Sequence, residues 1–265
     1  MDRAPPARPV VLLGAGGQLG SALRRRLPAA RSLPWQSPDL PEGPFDLVIA
    51  SGLTDPRADP AALKAANLEQ PLRLIEQAAA REARVMTFGS VMECFPEACR
   101  SNAYLAGKLA LAEAIRARAA DGRLCHLRLH TLYGGRPHRH MFLGQIVHAL
   151  AAGERFAMSS GEQLREYHHA DDIAQSVAAL LARSWDAPVL EVSHGAPLRL
   201  AELARAVFAA LGRPELLQVG ALAPAPGENR ERVFQRSPDW LIGRPRDSLP
   251  AVIDWVRACV AAGRY

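Results

Sequence analysis

The sequence predicts an α/β protein, a Rossmann-type doubly wound parallel sheet with a smaller, interleaved C-terminal substrate lobe. Three observations predict it. Short apolar runs alternate with helix-like stretches through the first half. The first of those runs passes at once into a glycine-rich turn. The composition is that of an ordinary folded chain, with 49% hydrophobic and 22% charged residues among 265.

The elements follow in order. Val10 to Leu13 is a short apolar run, read as a buried strand. Leu19 to Leu27 reads as a helix, stopped by Pro28. Phe45 to Ala50 is a second apolar strand, and a long Ala/Leu-rich helix covers 61–80. Arg84 to Phe88 reads as a strand, 104–120 as a helix and Leu124 to Leu129 as a strand. Beyond Gly135 the texture changes. A helix over 141–152 leads into a polar loop over 153–165. A helix over 173–183, a strand over 189–192 and a helix over 200–211 stopped by Gly212 come next. A Pro/Gly/Arg-rich stretch over 214–250 precedes a closing helix over 251–262.

Composition and charge exclude several classes. The formal net charge of +5 suits attraction to anionic groups such as phosphates. No basic run exceeds Arg24 to Arg26, and no nucleic-acid-binding motif is visible, so nucleic acid is not an expected partner. The cysteines Cys94, Cys99, Cys125 and Cys259 lack the spacing of a zinc site, so no metal is expected. They read as reduced thiols in a cytoplasmic protein. The N-terminus is polar and Pro-rich, unlike a signal peptide, and no run approaches the ~20 apolar residues of a membrane span.

The stretch VVLLGAGGQLGSALRRRL is a strand, a glycine-rich turn and a helix start. Gly14, Gly17 and Gly20 fall at G-x-x-G-x-x-G spacing, with Gly16 as a fourth glycine. Such a turn brings backbone N–H groups, including those of Gln18 and Leu19, and a helix N-terminus to a pyrophosphate. A dinucleotide is therefore the expected cofactor. The carboxylate that would hold the adenine ribose ~20 residues on is missing. Trp35 or Gln36 stands there, and Asp39, the nearest acid, is assigned to the adenine side. Arg24, Arg25 or Arg31 can pair with a 2′-phosphate, so NADP is favoured over NAD.

Tyr104 and Lys108, four apart at a helix start, face one side. A neighbouring ammonium favours the phenolate and is expected to lower the tyrosine pKa, which suits proton exchange with a carbonyl or alcohol oxygen. Ser90 follows the strand ending at Phe88 and so reaches the crevice at the C-terminal strand ends.

Together these residues resemble the extended short-chain dehydrogenase/reductases, which include nucleotide-sugar epimerases, dehydratases and ketoreductases. The resemblance spans nearly the whole chain. GAGGQLG is similar to the cofactor turn, and DLVIASG to the strand whose end, Ala50, Ser51 and Gly52, borders the cofactor. Asn67 matches a helix asparagine that supports the active site, and Leu132 lies in the turn that receives the nicotinamide. FGSVME and NAYLAGKLALAE match the segments with the catalytic Ser90, Tyr104 and Lys108. The resemblance implies that Arg165, and Arg230 or Arg232, bind the substrate diphosphate, and that Met92 faces the sugar. It implies structural hydrogen bonding for His168 and His169 at the domain seam.

The departures narrow the chemistry. Val91 and Met92 replace the Asp-Glu pair of the dehydratases, which argues against dehydration. Cys94 with His138 or His140 hints at the combined epimerase-reductases, whereas the short chain and the GGQLG turn are most similar to 4-ketoreductases. The resemblance therefore implies an NAD(P)H-dependent reductase acting on a keto group of a nucleotide sugar. The alternatives are an NAD-dependent epimerase and a non-catalytic dinucleotide sensor. The implied domains are 1–137, continued by about 170–195, for the cofactor, and 138–169 with 196–265 for the substrate. A homodimer is expected through the Tyr/Lys helix and the one before it. The Ala/Leu-rich face over 105–119 fits that pairing, and fits a core-facing stripe equally.

Overall fold

A computed structural model describes residues 8–36, 38–118 and 122–263. The sheet-forming first half runs β1 (Val10–Leu13), α1 (Gln18–Arg26), β2 (Arg31–Leu33), β3 (Asp46–Ile49), α2 (Pro60–Lys64), α3 (Gln70–Ala79), β4 (Arg84–Ser90), α4 (Pro96–Ser101), α5 (Ala103–Arg118) and β5 (Leu124–Leu129). The second half runs β6 (Thr131–Tyr133), α6 (Phe142–Ala152), β7 (Phe156–Met158), β8 (Leu164–Arg165), β9 (Tyr167–His169), α7 (Ala170–Leu181), β10 (Val189–Val192), β11 (Leu198–Arg199), α8 (Leu200–Ala210), β12 (Leu217–Val219), α9 (Asp239–Ile242) and α10 (Ser248–Ala261).

The central sheet has six strands in the order β10-β5-β4-β3-β1-β2, and every pairing in it is parallel. Its strands are apolar on both faces because both faces are covered. Leu12, Val48, Met86 and Leu127 pack on one side with Leu23 of α1 and Ile173 and Val177 of α7. Val11, Leu13, Leu47, Ile49 and Val85 pack on the other with Leu74 and Ile75 of α3 and Leu111 and Ile115 of α5. This is the Rossmann-type architecture, and its strand order reverses beside β1, where ligands bind in such sheets.

A second core lies in the C-terminal half. It joins Ile146 and Val147 of α6, Leu203, Val207 and Phe208 of α8, and Val252 and Val256 of α10. Three two-stranded pairs, β6 with β9, β7 with β12 and β8 with β11, tie this half together.

Three expectations change. The helix expected over 61–80 is interrupted by a π-helical turn, Ala65–Glu69. Pro71 has no N–H to give the carbonyl of Asn67 four residues back, so α-helical pairing cannot run through this point. The polar loop expected over 153–165 holds β7 and β8, too short to show a periodicity. The helix expected over 104–120 starts at Ala103, and its last two positions lie outside the described residues.

Candidate active site

A cavity of about 460 Å³ opens along the C-terminal ends of β3, β4 and β5 and continues toward the second core. Gly17, Gln18, Leu19, Ala50, Ser51, Gly52, Ser90, Met92, Tyr104, Lys108, Leu132 and Arg165 all stand on its wall. Gly14, Gly16, Gly20, Asn67, Asp39 and Arg230 do not line it, and each has a distinct reason.

Gly14 and Gly20 shape the turn from behind. Gly14 has φ +83°, and a Cβ there would lie 2.5 Å from the Ser51 nitrogen. A Cβ on Gly20 would lie 1.9 Å from the Gly14 carbonyl oxygen. Neither position admits a side chain, whereas Gly16 faces open space. Helix α1 starts at Gln18 after an extended Gly17, with no side-chain cap and no acid in its first turn. Its first N–H groups are therefore left for an anion, which the helix dipole favours. The Ser51 hydroxyl on the same wall is buried and has no partner among the described residues. These features fit the pyrophosphate of a dinucleotide. Gln18 adds a tie that spacing did not reveal, since its Nε2 donates to the Gly134 carbonyl at 2.9 Å. The turn is thereby fixed to the loop after β6.

Asp39 is placed differently from the expectation. Its side chain is 96% exposed, 4.0 Å from Arg31. It lines a separate polar pocket with Gln36, Pro38, Gln70, Arg73 and Gln77. Gln70 donates to the carbonyls of Trp35 and Gln36, both at 2.9 Å, and so fixes the chain after β2. Arg25 pairs with Asp171 at 2.6 Å, whereas Arg24 and Arg31 are exposed.

Ser90 ends β4 and caps a 3₁₀ turn over Val91–Cys94. Its Oγ accepts from the Met92 N–H at 3.2 Å, and the Glu93 carboxylate accepts from the Ser90 N–H at 2.7 Å. Tyr104 and Lys108 sit in the first turns of α5, with the Lys108 Nζ 5.8 Å from the Tyr104 ring centre. The expected lowering of the Tyr104 pKa is not what the structure produces. Burial, with the Glu93 carboxylate acting in the same direction, pushes the phenol up to about 12. Burial also pushes the Lys108 ammonium down to about 8, against the pull of Glu93. Desolvation outweighs the cation–phenol attraction that the four-residue spacing foretold.

Asn67 is fully buried behind Gly52. Its Nδ2 donates to the carbonyls of Leu53 and Leu63 at 2.8 and 3.0 Å. A Cβ on Gly52 would lie 2.7 Å from its Oδ1 and 3.6 Å from the Lys108 Nζ, so glycine is needed for this close approach. The Oδ1 has no partner among the described residues. Asn67 thus backs the cavity wall rather than forming it.

On the far wall, burial pushes the Arg165 guanidinium below its ordinary pKa. Arg232, not Arg230, joins it on the wall, with its guanidinium 4.4 Å over the Phe234 ring. Arg230 is 48% exposed and pairs with Glu228. Cys94 faces Arg128 and Glu191 at 3.2 and 3.4 Å, not His138 or His140.

His168 and His169 hold the seam. His169 caps α7 by accepting from the Asp171 N–H at 3.2 Å. His168 donates to Glu166 at 3.0 Å, and Glu166 also accepts from the Ser193 hydroxyl and the N–H groups of His194 and Gly195. Ligand atoms of Glu166, His168 and His194 lie within 4.8 Å of one another. The His168 and His194 rings, however, are stacked 3.8 Å apart at 5°. Two parallel rings cannot both aim a nitrogen at one ion, and the carboxylate is already satisfied. The cluster is a hydrogen-bonded wall.

Reading by motif missed Glu93, His126 and Arg128, and left Arg232 as the alternative to Arg230. The segment Ser90-Val91-Met92-Glu93 carried one usable signal, since it has the S-x-x-E form of a capping box, and the box is present.

A parallel sheet with this glycine turn and a Ser/Tyr/Lys set on one cavity defines a nicotinamide-dinucleotide enzyme of the short-chain dehydrogenase/reductase type. The model of the NAD dependent epimerase/dehydratase family matches residues 42–192. The chain belongs to that family and is an extended short-chain dehydrogenase/reductase. No curated protein gives a significant sequence match. Among solved structures, the chain is similar to UDP-N-acetylglucosamine 4-epimerase from Methanobrevibacter ruminantium in complex with UDP-N-acetylmuramic acid. The TM-score is 0.78 at 16% identity, covering 96% of this chain and 97% of that one. It is also similar to RMD from Pseudomonas aeruginosa complexed with NADPH, with TM-score 0.75, 16% identity and coverage of 97% and 99%. A third is DesIV, a dTDP-glucose 4,6-dehydratase from Streptomyces venezuelae with NAD bound, at TM-score 0.78 and 17% identity, covering 94% and 96%. Among the described residues, no helix is long and apolar enough to cross a membrane.

Proposed function

We propose that the protein is an NAD(P)H-dependent reductase of a keto group on a nucleotide-activated sugar. The observation that carries this reading is the meeting of Ser90, Tyr104 and Lys108 on one cavity wall that also holds the glycine turn, with Tyr104 kept protonated far above neutral pH. A protonated phenol is the form that reduction requires. The nicotinamide supplies the hydride when bound. Tyr104 donates its proton to the substrate oxygen as that oxygen gains charge, and the Ser90 hydroxyl donates a hydrogen bond to the same oxygen. Lys108 stabilises the resulting phenolate and holds the cofactor ribose. Arg165 and Arg232 supply the forked donors that a diphosphate takes.

The similar structures support the substrate class, since several hold UDP-sugars or act on dTDP-glucose by their descriptions. Trp35 and Gln36 in place of a ribose-binding carboxylate, with Arg24 and Arg31 exposed nearby, favour NADP. The test is NADPH oxidation against a panel of nucleotide-linked keto sugars. Turnover with at least one is expected, and failure with all of them counts against the reading.

A second reading is a sugar 4-epimerase, favoured by the family match and by the fold shared with the Methanobrevibacter enzyme. It uses the same three residues and keeps its cofactor. Denaturing the purified protein separates the two, since released NAD supports the epimerase, and an empty or exchangeable site the reductase.

A further inference from the structure

Behind Ser90 lies a buried polar network that none of the binding roles above uses. Glu93 is 3% exposed, although it lies only three residues past Ser90. Its Oε1 accepts from the Ser90 N–H at 2.7 Å and stands 3.4 Å from the His126 Nε2. Its Oε2 accepts from the Arg128 Nε at 3.1 Å. His126 is fixed from the other side, its Nδ1 2.7 Å from the Thr87 hydroxyl.

The strand carries a void made for this pair. A Cβ on Gly89 would lie 2.0 Å from the Glu93 Oε1 and 2.1 Å from the His126 Nε2. Any other residue before Ser90 would displace one of the two. Gly89, Glu93 and His126 therefore depend on one another, and β4 gives up a side chain near its C-terminal end to seat a carboxylate behind Ser90.

We propose that Glu93 is a positioning residue of the reaction centre, whose buried carboxylate pins the Ser90 backbone and sets a negative charge behind the cavity wall that carries Tyr104 and Lys108. The proposal rests on the reductase reading for its role in turnover, but its electrostatic part does not. A cap alone would need only an acceptor, and glutamine would serve as well. Here the carboxylate acts on both Tyr104 and Lys108 of α5, and raises both. The other charged or titratable groups around it are His126 and Arg128 of β5, Cys99 of α4, and Glu191 of β10, reached through Arg128. His126 is pushed down by burial, so it does not add a competing cation at neutral pH.

The sequence makes the test direct. It contains two lysines, Lys64 and Lys108. Lys64 pairs with Glu69 at a largely exposed site, and Lys108 is buried. In the whole protein with lysine side chains labelled with ¹⁵N, NMR titration should show two ammonium groups. In Glu93→Gln the Lys108 midpoint should fall by about one pH unit, with Lys64 unmoved. In Glu93→Asp, which keeps the charge, the Lys108 midpoint should stay within a few tenths of the parent. An unmoved Lys108 in Glu93→Gln, or a full-unit fall in Glu93→Asp, overturns the proposal. Glu93→Asp decides alone if Glu93→Gln does not fold. No substrate is needed, so this result stands apart from whether a keto sugar is reduced. With a substrate in hand, the alkaline limb of the rate profile should move toward acid in Glu93→Gln, a change a purely structural cap would not cause.

Discussion

Two buried glutamates flank the cavity, and they are held in opposite ways. Glu93, beneath Ser90, meets the Arg128 guanidinium and the His126 ring. Glu166, on the cavity wall beside Arg165, takes four hydrogen bonds from a hydroxyl, a histidine and two backbone amides. Each carboxylate fixes a turn that follows a strand. Only the first is matched by a permanent cation, and only the first acts on Tyr104 and Lys108. Burial alone would raise the Glu166 pKa, but the His168 hydrogen bond, the nearby His130 and the remaining donors hold it at about 2. Both are buried charges, but one is balanced by a cation and the other by hydrogen bonds from neutral groups.

The largest effect expected from this contrast is on turnover. Tyr104→Phe should lower kcat by about 10²- to 10⁴-fold, because it removes the proton donor on the Glu93 side. Glu166→Gln should act mainly on substrate affinity. Steady-state kinetics of both variants would blur the contrast if Glu166→Gln lost as much turnover as Tyr104→Phe.

Stability comes next. Arg128→Ala leaves Glu93 without its cation and should cost about 3–5 kcal/mol, the usual penalty for an orphaned buried charge. Ser193→Ala removes one of four donors to Glu166 and should cost about 1–2 kcal/mol. Urea denaturation of the two would erase the distinction if the losses were equal.

The smallest effect is on pH dependence. Burial pushes His130, 3.7 Å from Glu166, down from 6.5 to about 3, and Glu166 itself is lowered from 4.5 to about 2. Both folded values lie below the ordinary ones. Stability is therefore full above pH 6.5, declines first through His130 and then, below 4.5, through Glu166 as well. Between pH 7 and 5 the His130 contribution alone should fall by roughly 1–2 kcal/mol. Replacing His130 by Leu should flatten that slope, and denaturation midpoints at the two pH values would show it. An unchanged slope would remove His130 from the account.

Much of this was readable from residues. The glycine turn, the buried strands and the Ser90/Tyr104/Lys108 set follow from local pattern, because each is specified within a few positions of itself. What escaped depends on distance through space. The partners of Glu93 lie 33 and 35 residues on, and come alongside only when β4 pairs with β5. The sign of the Tyr104 shift depends on burial, which a four-residue spacing does not report. Arg230 and Arg232 are two apart and point differently because Asn229 accepts from the Arg232 N–H and donates to its carbonyl, folding the segment into a tight loop. The π-helical turn at Asn67 left one trace, Pro71, but its purpose needs Gly52 and Lys108 beside it.

The most direct measurement is to supply NADPH carrying deuterium at the transferable nicotinamide position, together with nucleotide-linked 4-keto sugars, and to follow the label by mass spectrometry. A reductase places one deuterium on the sugar for each NADPH oxidised, and loses that transfer in Tyr104→Phe. A sugar inverted at one carbon with no deuterium gained and no NADPH consumed would contradict the account and identify the protein as an epimerase.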